Sequence, residues 1–62
     1  MSVEVEQLIT TYDDDNDNYG HVTAIVHDTE TDERSTASSE FDLFTKENDA
    51  EASAIQDAID KL

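Results

Sequence analysis

The chain has 62 residues, no cysteine and a formal net charge of −14, from 17 acidic against 3 basic residues. A chain of this length makes one domain, residues 1–62, and buries only about 60% of the surface that its unfolded form exposes. Because disulfides and thiolate metal sites are excluded, oligomerisation is the remaining means of supporting a thin core.

The acidic residues are interleaved with apolar ones along most of the chain, which favours a folded domain over a disordered acidic tail. The composition is rich in Asp and Thr and poor in Lys, and in this it resembles the proteins of salt-loving archaea. That resemblance implies adaptation to molar salt, where surface carboxylates repel one another less. The N-terminal residues lack a signal-peptide pattern, and no apolar run approaches the roughly 18 residues of a membrane span. We therefore expect a cytoplasmic protein.

Three β-prone segments are predicted before residue 45. Residues 2–12 nearly alternate between apolar and polar side chains, and a break at Gln7 is compatible with a bulge near residues 7–8 or with a strand that has apolar residues on both faces. An Asp/Asn loop that ends in the only glycine leads to a second strand over residues 20–28. After a polar turn, a third strand is predicted from about residue 34 to 44.

A helix is predicted from residue 48 onward, with Asn48 as its cap and Glu51 reaching back in a capping box. Its apolar stripe recurs at helical spacing: Ala50, Ala54, Ile55, Ala58, Ile59 and Leu62. The predicted fold is therefore α+β: a three-stranded antiparallel meander packed on one face by a C-terminal helix (β-β-β-α). The sheet residues expected to meet the helix are Val22, Ala24, Val26, Phe41 and Leu43, with Val3 or Val5.

One helix cannot cover both faces of a sheet, so the second face is predicted to expose Ile25 together with other apolar residues. Such a patch on a small protein in high salt would promote aggregation unless it were buried, most simply in a twofold homodimer. The homodimer is predicted to form through this open face or through a strand edge. The residues predicted to form this interface are Leu8, Tyr12, Thr23, Ile25, His27 and Phe44.

The acidic loop is a second candidate site. Asp13, Asp15 and Asp17 alternate like the first ligands of an EF-hand. The resemblance ends there, because the sixth position is Asn18 where glycine is needed and the twelfth is Ala24 where glutamate is needed. A cation-binding protein therefore remains only an alternative.

Catalysis and nucleic-acid binding find little support in the sequence. His21 and His27 lie on one strand about 20 Å apart, too far to share a metal. No nucleophile motif or phosphate-binding loop is present, so no cofactor and no enzymatic activity are expected. Three basic residues cannot neutralise a phosphate backbone, although an acidic nucleic-acid mimic that inhibits a basic protein stays open as an alternative. The favoured function is a non-catalytic interaction module of a halophile.

Overall fold

The structure is a computed structural model that describes residues 2–62. It contains three strands, β1 (Val3–Tyr12), β2 (Gly20–Asp28) and β3 (Glu33–Phe41), followed by one helix, α1 (Glu47–Asp60). The strands form one antiparallel sheet in the order β1-β2-β3, and α1 packs on one of its faces. The predicted β-β-β-α fold is confirmed. Within residues 2–62, no helix is long and apolar enough to cross a bilayer.

The core lies between α1 and the strands β2 and β3. Its largest fully buried side chains are Val22 and Val26, which alternate along β2 with residues of the opposite face. The helix contributes a stripe of three alanines at every fourth position, Ala50, Ala54 and Ala58, all with no exposed area. Small side chains on this stripe let the helix lie close to the sheet, while Ile55 fills the space beside it and touches both halves of the core.

Two predicted boundaries were wrong, and one turn explains both. The side chain of Asp42 accepts the backbone amides of Phe44 and Thr45, each at 2.8 Å, so the chain turns as soon as β3 ends at Phe41. Leu43, which was expected in the core, is therefore 61% exposed. The helix then begins at Glu47, one residue before the predicted cap.

The predicted capping box is also absent from the start of α1. Lys46 occupies the N-cap position with extended backbone angles, and no side chain of the described residues caps the helix there. Asn48 lies within the first turn instead of before it. Glu47 and Asp49 still place negative charge at the positive end of the helix dipole, so this end is stabilised electrostatically.

Gly20 begins β2 at a point where the chain passes close to two neighbours. A Cβ at this position would collide with the backbone carbonyl of Thr11 and would lie 2.6 Å from the ring of Phe41. Gly20 is paired with Tyr12 on one side and with Phe41 on the other. The only glycine of the chain therefore lets an aromatic side chain lie over the sheet where it meets α1.

Candidate interaction surface

A β-bulge at Glu6 decides which residues of β1 face the helix. Val5 is paired with Val26, but the next regular pair joins Gln7 to Ile25, so Glu6 is an extra residue. Because side chains alternate along a strand, one extra residue reverses the facing of everything that follows. The bulge anticipated near residues 7–8 is present, centred one residue earlier.

The bulge places Leu8 and Tyr12 on the helix side of the sheet, since their partners are Ala24 and Gly20. Their predicted position on the opposite face was therefore wrong. Phe44 was also misplaced: it follows β3 in a loop and is 95% exposed. The alternation of apolar and polar residues could not show this reversal, because it gives the period of a strand and not the position of an extra residue.

The face opposite the helix keeps the other three predicted residues, Thr23, Ile25 and His27, which alternate on β2. Ile9 of β1 joins them, because it is paired with Thr23. The neighbouring groups are polar, and the hydroxyls of Thr23 and Ser38 are hydrogen-bonded at 2.8 Å. Two isoleucines among hydroxyl groups make this face less apolar than the sequence suggested.

A series of contacts between polar and charged side chains crosses one end of the same face. Arg34 of β3 donates from Nε to the Glu6 carboxylate at 2.9 Å, and its guanidinium lies 3.7 Å from Asp32. Asp32 also contacts Nε2 of His27 at 2.7 Å. The His27 hydrogen bond, assisted by the Arg34 charge, holds the pKa of Asp32 below its usual value. These contacts connect all three strands. Glu6, the extra residue of the bulge, takes part in them.

The helix side of β1 is an apolar surface that the fold leaves uncovered. The helix packs on β2 and β3 and barely touches β1. Three side chains of β1 are consequently exposed on this side, and we call them the β1 shelf: Val5, Leu8 and Tyr12. Ile55, Ile59 and Leu62 are half-buried on α1.

Tyr12 fixes one end of the β1 shelf. Its hydroxyl donates to the Glu47 carboxylate at 3.0 and 3.1 Å, and its ring meets that of Phe41 edge-on at 5.7 Å between centroids. The hydrogen bond to Glu47 raises the pKa of the Tyr12 phenol above its usual value, since losing the proton would place two negative charges together. These contacts connect the Tyr12 end of the β1 shelf to the start of the helix.

The acidic loop makes local turns and no ligand cage. A side-chain oxygen of Asp13 accepts the amide of Asp15, and one of Asn16 accepts the amide of Asn18, both at 2.9 Å. In the described part of the chain no three His, Cys, Asp or Glu residues are placed to hold a metal ion, so Asp13, Asp15 and Asp17 do not converge. The predicted weak cation site thus lacks geometric support.

A shallow cleft of about 680 Å³ opens between this loop and the ends of the strands. Carboxylates and aromatic rings line it, and His21 of β2 lies at its edge. His27 lies towards the other end of β2, in contact with Asp32. The two histidines therefore belong to different regions of the molecule, as their spacing predicted.

The chain matches no protein-family model, no curated protein and no solved structure. The β1 shelf and the free edge of β1 are thus interpreted from their own chemistry.

Proposed function

We propose that the protein is a non-catalytic interaction module that associates with itself through β1, in the salt-rich cytoplasm of a halophile. The observation that supports this proposal is the exposure of three large apolar side chains on one edge strand. Leu8, Ile9 and Tyr12 each leave more than 40% of their surface accessible to solvent. In water, and more strongly in concentrated salt, exposed apolar groups on one strand favour association. This surface lies at a strand edge, which was the predicted alternative to the open sheet face, and β1 has exposed apolar side chains on both of its faces.

The charge distribution supports self-association at β1. Two copies that each carry a net charge of −14 repel one another wherever carboxylates meet. Residues 7–12 of β1 carry no charged side chain. Contact at this segment brings the two copies together with the least electrostatic cost, which screening by salt reduces further.

The first test is the oligomeric state in about 2 M potassium chloride, where charges are screened within a few ångströms. Sedimentation equilibrium is expected to show a dimer for the natural chain. Leu8→Asp is expected to give a folded monomer, because it places a carboxylate from each copy in the contact.

The matched control is Leu43→Asp, which makes the same chemical change at an exposed leucine outside the sheet. This variant is expected to remain dimeric. A natural chain that sediments as a folded monomer at millimolar concentration would refute the proposal. Equal dimerisation by both aspartate variants would show that association occurs elsewhere on the molecule.

A further inference from the structure

β1 is an edge strand whose second half lacks charge. Within residues 2–62, the strand has a neighbour only on the β2 side. At 32% charged residues, six consecutive positions of this chain would carry about two charges, yet residues 7–12 (QLITTY) carry none. Edge strands are normally protected from pairing by charges or bulges. Here the bulge at Glu6 protects the first half of β1, while the second half is left open.

The backbone hydrogen bonds show which groups of β1 point outward. The Asp13 amide donates to the Tyr19 carbonyl at 2.8 Å, one step beyond the pair of Tyr12 with Gly20. In an antiparallel ladder, hydrogen-bonded pairs alternate with pairs whose backbone groups point the other way. Counting back from Asp13, the amides and carbonyls of Leu8, Thr10 and Tyr12 point away from β2, toward the open edge.

The other edge of the sheet is less accessible. Lys61, at the end of α1, donates from Nζ to the backbone carbonyl of Thr36 in the middle of β3 at 3.2 Å. Glu33, Arg34 and Glu40 also place charge along β3. A lysine over the strand and charged side chains along it are the features that block strand addition. β1 is therefore the edge that can accept another strand.

We propose that a second copy of this chain adds its β1 to this edge, antiparallel and centred on Thr10, to form a continuous six-stranded sheet. This inference rests on the proposed self-association and specifies its geometry. A twofold axis through facing Thr10 residues pairs Leu8 of one copy with Tyr12 of the other on the helix side. On the opposite face it pairs Ile9 with Thr11. The outward backbone groups of residues 8, 10 and 12 then bond to one another, as in other strand-addition complexes.

A second copy fits this edge better than an unrelated strand because the segment is complementary to itself. Reversing residues 8–12 about Thr10 places an apolar side chain opposite an aromatic one and brings no carboxylate opposite another. Each copy keeps its helix on the same side of the enlarged sheet, since antiparallel pairing preserves facing. The twofold contact closes on itself, so association stops at two copies.

Cysteine cross-linking tests the register, because the natural chain has no cysteine. Residues facing one another in a hydrogen-bonded antiparallel pair are about 5.5 Å apart at Cα, within the range of a disulfide. Thr10→Cys, oxidised in molar potassium chloride, is expected to convert almost completely to a linked dimer with an unchanged circular dichroism spectrum. Ser53→Cys, exposed on the outer side of the helix, is expected to react at least tenfold more slowly.

The outcomes separate this inference from the function it rests on. A dimer in sedimentation whose Thr10→Cys form links no faster than the Ser53→Cys form would overturn the strand pairing and leave self-association standing. A natural chain that is monomeric would overturn both.

A proline substitution checks the direction of the backbone groups independently. Proline at Thr10 removes an outward amide, which an edge strand tolerates, so Thr10→Pro is expected to fold as a monomer. Proline at Ile9 removes an amide bonded to β2, so Ile9→Pro is expected to unfold. A Thr10→Pro protein that dimerises like the natural chain would refute the proposed pairing. A folded Ile9→Pro protein would refute the assigned direction of the β1 backbone groups.

Discussion

Dilution of salt is predicted to unfold the protein, because its net charge of −14 is confined to a small volume. The radius of gyration of 12.4 Å corresponds to a sphere of about 16 Å radius, whereas an unfolded chain of this length has an equivalent radius of about 31 Å. Repulsion within a charged sphere scales with the squared charge divided by the radius, and is reduced by screening. The folded state therefore bears the larger repulsion, and the difference grows as salt is removed.

The size of the effect follows from the Debye length, about 3 Å in 1 M salt and about 30 Å in 0.01 M salt. With water as the dielectric, repulsion disfavours the folded state by about 3 kcal/mol in 1 M salt and by about 10 kcal/mol in 0.01 M salt. The increase of about 7 kcal/mol is comparable to the roughly 3–9 kcal/mol by which a domain of 62 residues is stable. Low salt should therefore unfold most of the population.

The assay is circular dichroism across a potassium chloride series, with a less charged variant as control. The variant replaces four of the exposed acidic residues whose side chains make no hydrogen bond within residues 2–62: Glu4, Asp14, Asp17 and Asp57. Replacing them with their amides changes the net charge from −14 to −10 (14 − 4 = 10) and roughly halves the repulsion, which depends on the squared charge. The salt concentration at the midpoint of unfolding should fall several-fold. If the natural chain is equally stable in dilute and molar salt, the electrostatic argument is wrong.

Two other predictions concern single groups. Gly20→Ala should lower the free energy of unfolding by about 1–3 kcal/mol or more, because the added methyl collides with the Thr11 carbonyl and with the Phe41 ring. Urea denaturation measures this change. Glu47→Gln should lower the pKa of Tyr12 toward its usual value, measured by ultraviolet titration with the other tyrosine replaced by phenylalanine. Because the pKa of Tyr12 is raised in the folded state, its contact with Glu47 stabilises the fold fully below pH 10. This stabilisation is lost as the pH rises through the folded-state pKa. An unchanged Tyr12 pKa in Glu47→Gln would exclude the contact.

The spacing of apolar residues was sufficient to predict the fold because it is regular within each strand and within the helix. The alternation on β2 and the fourfold spacing of the alanines both correspond to buried faces, and Val22 and Ala54 lie where their patterns placed them. Boundaries were less predictable because they depend on single side chains. The turn made by Asp42 ended β3 before Leu43 and started the helix at Glu47, although the pattern favoured later positions for both.

The interaction surface was harder to predict because one inserted residue reverses half a strand. Gln7 interrupted the alternation in β1, which signalled an irregularity but not its consequence. Once Glu6 is recognised as the extra residue, the facing of Leu8 and Tyr12 follows from the pairing. Arg34 gave no signal in the sequence, although its bond to Glu6 fixes the bulge to the far strand.

The position of the helix explains why β1 is the strand left open. A helix is about 10–12 Å across and neighbouring strands are about 4.8 Å apart, so one helix covers two strands of three. Only residues 42–46 connect β3 to α1, and so short a connection makes the helix fold back over β3 and its neighbour β2. β1 is the strand farthest from the helix along the chain, and beyond Val3 its large apolar side chains stay exposed. The order of the elements thus places Leu8 and Tyr12 beside an open edge, and a second β1 strand would pair them there.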